Sequence, residues 1–268
     1  MDQRCIGVFD SGLGGLTAVR ELKRVLPNEN IIYFGDTGRV PYGTRSDATI
    51  IKYTRQDINF LKRFDVKMIL VACGTVSSVG LPALREEYPG LPLVGVVEAA
   101  SFAAASATKN GKIAVLGTNG TIRSRSYQAK LQEINPEFQS IGKACPMFVP
   151  LVENGYTEGQ VAHLIVEEYL EEVIQFGADT VILGCTHYPL LKKVIQETVG
   201  DDVTLIDVGA EAARLVAEQL KREDCLAQNS GDVSYYVSDN VENFATLGSL
   251  FLDCEIKEQV QKIDIERF

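Results

Sequence analysis

Cys73 and Cys185 are the residues whose chemistry and setting stand out first. Each ends a short apolar run with strand character, at 68–72 and 181–183, and each is followed within two residues by a threonine, Thr75 or Thr186. A helix is expected after each, so the free N–H groups and dipole of its first turn should favour the thiolate. A free cysteine on its own is usually a small buried hydrophobe. Two in matched settings, beside hydroxyls and glycines, point to chemistry instead. An unperturbed thiol titrates near about 8.5, so modest assistance makes it a usable base or acid at neutral pH. A thiolate on one face of a carbon and a thiol on the other would remove one proton and deliver another. That is inversion of a stereocentre.

Four further segments are too polar for ordinary loops after buried strands. Asp10-Ser11-Gly12-Leu13-Gly14-Gly15 has glycines for tight turning and backbone N–H groups that can hold a carboxylate, with Asp10 and Ser11 facing a crevice. The stretch from Gly35-Asp36 to Pro41-Tyr42-Gly43 is a rigid loop carrying an aromatic ring. Residues 146–153 place Glu153 after an extended apolar stretch, and Cys185-Thr186-His187-Tyr188-Pro189 sets one of only two histidines beside the second thiol. Asp10, at a neighbouring strand end, can relay or orient a proton near Cys73, and His187 can do so near Cys185. The bland alternatives are loops that merely turn the chain and a solvated, helix-flanking Glu153. His163 lies in a charged helix away from these segments and reads as a surface residue.

The elements that must position these residues alternate along the chain. Apolar, β-branched runs at 6–9, 31–34, 68–72, 93–97, 113–116, 181–183 and 203–206 read as strands of a parallel sheet covered on both faces. Helices are expected at about 47–64 and from Thr157, where Thr157-Glu158-Gly159-Gln160 fits a capping box. This is an α/β pattern, with active loops at the carboxyl ends of strands. It also repeats. Residues 6–12 resemble 113–119, Phe64 and Phe176 each precede a key cysteine by nine residues, and 93–100 find an echo in 205–212. The chain is therefore expected to form two pseudo-symmetric lobes with the active site between them. The first lobe is placed at 1–97 plus 208–268 and the second at 98–207, with a strand at 232–238 returning to the first.

With 268 residues, 46% hydrophobic and 23% charged, the chain can form more than one core. A formal charge of −10 argues against nucleic acid as a partner. The N-terminal residues lack the pattern of a signal peptide, and the longest apolar stretch, 93–108, is broken by Glu98, Ser101 and Ser106. Six sparse cysteines then read as reduced thiols, and the expectation is a cytoplasmic protein without a membrane partner.

The same segments resemble the signature of bacterial glutamate racemases: 10–16, Gly35-Asp36 with Pro41-Tyr42-Gly43, Ala72-Cys73, 145–153, and Gly184-Cys185-Thr186-His187-Tyr188-Pro189-Leu190. The resemblance runs in order from residue 5 to about 210. It implies a homodimeric, cofactor-independent enzyme that interconverts L- and D-glutamate and supplies D-glutamate for peptidoglycan. It further implies that Cys73 deprotonates D-glutamate and Cys185 L-glutamate, with Asp10 assisting Cys73, and His187 and Glu153 assisting Cys185. Asp10, Ser11, Tyr42, Gly43, Gly74, Thr75, Thr118, Thr186 and His187 would surround the substrate. One departure stands out: the family usually has Asn where this chain has Gly74. The backbone N–H remains, but a lost side-chain hydrogen bond to a charged group is worth about 1.5–3 kcal/mol. A related substrate such as aspartate is the alternative that this opens.

Three other readings compete. Gly12-Leu13-Gly14-Gly15-Leu16-Thr17, with Asp36 further on, approaches a dinucleotide-binding fingerprint, but the sixth position is Thr17 and neither thiol is explained. A noncatalytic amino-acid-binding protein would keep the crevice without needing matched thiols. Cys185 and His187 offer two zinc ligands, yet no CxxC or HExxH completes a set, so no metal is expected.

Overall fold

Runs that are apolar on both faces can be satisfied only when helices cover both faces of a sheet, and the chain arranges them so. The computed structural model describes residues 2–256 and 259–268; Met1, Lys257 and Glu258 lie outside the described residues. The strands are β1 (Ile6–Asp10), β2 (Ile31–Gly35), β3 (Met68–Val71), β4 (Leu93–Gly95), β5 (Lys112–Gly117), β6 (Gln139–Ala144), β7 (Thr180–Leu183), β8 (Thr204–Asp207), β9 (Val233–Val237) and β10 (Val260–Lys262). The helices are α1 (Leu16–Val25), α2 (Asp47–Leu61), α3 (Gly74–Val79), α4 (Leu81–Glu87), α5 (Val96–Ala107), α6 (Asn119–Ser124), α7 (Ser126–Ile134), α8 (Phe148–Glu153), α9 (Gln160–Phe176), α10 (Lys192–Val199), α11 (Val208–Arg222) and α12 (Val241–Leu252).

Two sheets result, ordered β10-β9-β2-β1-β3-β4 and β6-β5-β7-β8, and all their pairings are parallel. The orders β2-β1-β3-β4 and β6-β5-β7-β8 are the same topology, so the sequence repeat is also a structural one. In each sheet the chain leaves the central strand to one side and then crosses to the other. The carboxyl ends of β1 and β3, and of β5 and β7, therefore flank a topological switch point, where open α/β sheets form their binding crevice.

Helices exchanged between the sheets hold them together. α5 leaves β4 and packs on β7 and β8, whereas α11 leaves β8 and packs on α1, α5 and β4. One hydrophobic core accordingly runs through both sheets, from Ile6 and Leu70 to Val115, Ile182 and Val216. A second cluster, with Phe9, Phe34, Ile58 and Ile69, fills the space between the first sheet and α2. Among the described residues, no helix is long and apolar enough to cross a membrane.

Several boundaries differ from the sequence expectation for identifiable reasons. The run 93–97 stops as a strand at Gly95, because Val96 and Val97 open α5; an apolar run alone does not separate strand from buried helix. The capping box at Thr157 does not form. Gly159, at φ +85°, cannot lie inside a helix, so α9 starts at Gln160 with no side-chain cap. The stretch expected to be extended before Glu153 is instead α8, where Pro150 occupies the first turn and no N–H is missed. β6, with Ile141 as its one large apolar residue, is an edge strand paired only to β5, and it carries no alternating pattern to detect.

A buried ion pair ties the return segment to the first lobe. Lys67 Nζ lies 2.6 Å from Glu29 Oε2, both side chains 1% exposed, and it also donates to the carbonyls of Asp2 and Cys225. Glu29 Oε1 accepts from the Ala227 N–H at 2.8 Å. Removing one member strands a buried charge, so Lys67→Met is expected to destabilise the protein by about 3–5 kcal/mol in urea unfolding. The double replacement with Glu29→Leu should recover part of that loss. A loss below about 1 kcal/mol for Lys67→Met would show that water reaches the pair.

Candidate active site

Residues from both switch points line one cavity of about 360 Å³, within the usual range for small-molecule sites. Asp10, Ser11 and Gly12 follow from β1, Cys73, Gly74 and Thr75 from β3, Thr118 and Asn119 from β5, and Cys185, Thr186 and His187 from β7. Tyr42, Gly43 and Glu153 complete the walls, so every residue singled out for the site lines the same space. Ser11 and Thr118 occupy equivalent places in the repeat, and so do Cys73 and Cys185.

The first thiol is more deeply protonated than its sequence setting implied. Cys73 does stand at the N-cap of α3, yet burial, reinforced by the charge of Asp10, pushes its pKa up to about 12. The short helix does not offset that. Cys73 Sγ donates to Ser11 Oγ at 3.4 Å. Asp10 is 2% exposed, and its Oδ2 accepts from the Gly12 N–H at 3.1 Å. Burial raises the Asp10 carboxyl above the ordinary carboxylate range, against the attraction of His187. Asp10 thus interacts with groups on both flanks of the cavity, where spacing alone had tied it to Cys73.

The second thiol has a basic partner held in place by a carboxylate. Cys185 Sγ is 3.8 Å from His187 Nδ1, and His187 Nε2 is 3.0 Å from Glu153 Oε1. Burial opposes the imidazolium, but the bonds to Cys185 and Glu153 outweigh it and carry the His187 pKa up to about 10. Glu153 is therefore engaged with the histidine, not simply solvated. No helix follows Cys185 directly: residues 185–187 turn, a 3₁₀ segment spans Tyr188–Leu191, and α10 begins only afterwards. The helix-start argument applied to this thiol gives way to the imidazole.

Threonines and glycines join the lobes around these groups. Thr75 Oγ1 and Thr118 Oγ1 are 3.0 Å apart, and Thr118 also caps α6 by accepting from the Thr121 N–H. Thr17 Oγ1 donates across to the Thr186 carbonyl at 3.0 Å. A Cβ on Gly14 would lie 2.3 Å from Thr186 Oγ1 and 2.4 Å from His187 Nδ1. The approach is looser at Gly43, where a Cβ would lie 3.1 Å from Thr118 Oγ1. Tyr42 lines the cavity while its hydroxyl donates to the Asp36 and Asp57 carboxylates.

Asp36 is fully buried and also binds Arg39 at 2.6 Å, so the acid of the dinucleotide reading is already committed within the loop. His163 is 3.4 Å from Glu197 on the surface, away from the cavity. No cluster of three or more His, Cys, Asp or Glu suited to a metal occurs among the described residues. Sequence reasoning missed Asn119 and Cys145 as lining residues. The repeat could have found Asn119, which is the counterpart of Gly12. Cys145 has no counterpart among the matched thiols; burial pushes its thiol well up, and its carbonyl accepts from the Tyr188 hydroxyl.

The chain is similar to known proteins over nearly its whole length. A model of the Asp/Glu/hydantoin racemase family matches residues 11–216. A glutamate racemase from Geobacter metallireducens is 46% identical over 263 residues, covering 97% of each chain. Among solved structures, a glutamate racemase from Francisella tularensis in complex with D-glutamate superposes with a TM-score of 0.93 at 34% identity, covering 100% of both chains. A glutamate racemase isoform from Bacillus anthracis does so with a TM-score of 0.95 at 36% identity, covering 98% of both. The chain belongs to the Asp/Glu/hydantoin racemase family, among its glutamate racemases.

Proposed function

We propose that this protein interconverts L- and D-glutamate by proton transfer at Cα between two thiols. One observation carries the reading: Cys73 and Cys185, at equivalent places in the two sheets, line one cavity with different proton-handling partners. Relatives named as glutamate racemases, one of them solved with D-glutamate, support the choice of substrate. The family resemblance extends the proposal to a cytoplasmic homodimer that supplies D-glutamate to peptidoglycan. The lobes would be 1–97 with 208–268, and 98–207.

From L-glutamate, the Cys185 thiolate takes the Cα proton, breaking C–H and forming S–H. The protonated His187, anchored by Glu153, stabilises that thiolate beforehand. Cys73, held as a thiol by burial and by Asp10, then delivers its proton to the opposite face. From D-glutamate the roles reverse, and Asp10 assists Cys73 in losing its proton. Ser11, Thr75, Thr118 and Thr186, with the N–H groups of Gly43 and Gly74, are the donors assigned to the substrate's carboxylates. Asp10 is the acceptor assigned to its ammonium.

Circular dichroism of L-glutamate and L-aspartate, each incubated with pure protein, tests the substrate. Glutamate should lose its signal and aspartate should not; the reverse would reassign the substrate. A noncatalytic binder would leave the Cα hydrogen of glutamate unexchanged in D₂O. Cys73→Ser and Cys185→Ser should each lower racemisation by at least about a hundredfold with the fold intact. Wild-type turnover in either variant would remove the two-thiol assignment.

The titration of His187 gives a further expectation. Its imidazolium persists until about pH 10, so kcat/KM should fall as the pH rises through that value. Glu153 is one of the groups that raise this pKa, so Glu153→Gln should move the alkaline limb toward neutrality. An unmoved limb would show that Glu153 does not control the histidine's proton.

A further inference from the structure

The Tyr42–Thr44 turn walls the cavity from outside both sheets. Between β2 and α2 the Arg39 N–H donates to the Asp36 carbonyl and the Arg45 N–H to the Tyr42 carbonyl, both within the loop itself. Among residues 38–46 only Tyr42 is buried. Tyr42 lines the cavity, and its hydroxyl donates to Asp36 and, at 3.3 Å, to Asp57. Arg39 binds the same two buried carboxylates: its Nε lies 2.6 Å from Asp36 Oδ2 and its Nη2 3.1 Å from Asp57 Oδ1. The guanidinium also donates to Gln56 and lies over the Tyr53 ring, 4.1 Å from its centroid. Tyr53, Gln56 and Asp57 belong to α2, which packs on the first sheet through Ile50, Ile58 and Leu61. Arg39 thus ties the loop to α2. Gly43 meets the start of α6: a Cβ on Gly120 would lie 3.1 Å from the Gly43 carbonyl oxygen.

We propose that Arg39 is a positioning residue for substrate binding: by joining Asp36 to Asp57 it fixes the Tyr42–Thr44 turn and so places the Gly43 N–H on a substrate carboxylate. The inference rests on the glutamate reading above, which assigns that N–H to the substrate. Two carboxylates and a phenol share this buried cluster, and Arg39 supplies the positive charge. Burial and the charge of Asp36 push the Asp57 carboxyl well up, and Arg39 works against that rise. Without a donor shared between them the carboxylates repel, and the Tyr42 hydroxyl follows one or the other. A planar guanidinium serves both acceptors at once, whereas a lysine carries the same charge on a single point of attachment. Losing or misaligning a hydrogen bond to a charged group weakens binding by about ten- to a hundredfold. The Gly43 N–H holds the substrate before and after proton transfer alike, so the loss falls on KM and not on kcat.

The test compares wild-type protein with Arg39→Lys on L-glutamate by circular dichroism, at a temperature well below the unfolding of both. KM should rise at least about tenfold, with kcat held within about threefold. Lys67→Met, which breaks a buried ion pair outside the cavity lining, measures what lost stability alone does: its Tm should fall while its KM stays at the wild-type value. A KM unchanged in Arg39→Lys, or raised equally in Lys67→Met, overturns the proposal, whatever happens to kcat or Tm. If Arg39→Lys does not fold, Tyr42→Phe removes only the hydroxyl that ties the turn to the cluster. Its KM should rise at least about threefold, and no rise there overturns the proposal too. Failure of the glutamate reading shows separately, as wild-type protein that leaves L-glutamate unracemised. The weakening must then appear in calorimetric binding of L-glutamate to Arg39→Lys; glutamate that binds both proteins equally, or neither, overturns the proposal as well.

Discussion

Close approach of two sets of strand-end loops is the constraint on which the rest of the site depends. Parallel strands deliver their functional loops to one edge of each sheet, and here two such edges meet. They meet without side chains between them at the critical points: Gly14 lies under Thr186 and His187, Gly43 on Thr118, and Gly74 on the Gly184 carbonyl. Hydroxyls then complete the seam, with Thr17 bonded to the Thr186 carbonyl and Thr75 to Thr118. The exchanged helices α5 and α11 supply the apolar burial that holds the halves in this register. Packed interiors resist small displacements, so a seam backed by one continuous core can keep its spacing while the cavity fills and empties.

The lobes share a topology but not an electrostatic environment. On the β3 side a thiol lies in a buried pocket beside a carboxyl, and both burial and charge favour its protonated form. On the β7 side the neighbour is a histidine whose own proton is retained by Glu153 and Cys185. Two-step proton transfer across a stereocentre needs one acid and one base at any moment. Unequal surroundings of this kind suit the two-thiol transfer proposed above, in which one group acts as acid and the other as base. Asp10 and His187 both line the cavity and attract each other, so movement of one proton changes the field felt by the other group.

Much of this was legible in the residues. The repeated strand pattern carried the lobe topology because apolar runs of that kind, recurring in the same order, suit covered parallel strands, and the order of the markers around Cys73 and Cys185 carried their equivalence. The polar strand-end segments carried the cavity's membership. What was not legible depended on distance. Nothing in the Thr157 tetrapeptide shows that Gly159 adopts a positive φ and moves the helix start. Nothing in Cys73 beside a helix shows that burial will outweigh the helix, since burial is set by loops remote in sequence. The engagement of Glu153 with His187 joins residues 34 positions apart, and the Asp36–Arg39–Asp57 cluster is assembled by α2 and the loop after β2 packing together.

Among the described residues, no lysine or arginine lines the cavity: its ionisable groups besides thiols and tyrosines are Asp10, Glu153 and His187. An acidic substrate in a protein of formal charge −10 gains no lysine or arginine partner there, and the proposed reaction gives a reason. A lysine or arginine on one lobe, in addition to the His187 imidazolium beside Cys185, would hold one enantiomer's carboxylate more strongly than the other's and would lower the pKa of whichever thiol it faced. It would thereby work against the burial that keeps Cys73 protonated. Hydroxyls and backbone N–H groups bind a carboxylate with less charge bias, and they are distributed on both lobes, as Ser11, Thr75, Thr118 and Thr186 are. Neutral donors on paired lobes therefore suit a site that must accept both mirror images, and leave the proton balance to the histidine and the two carboxyls.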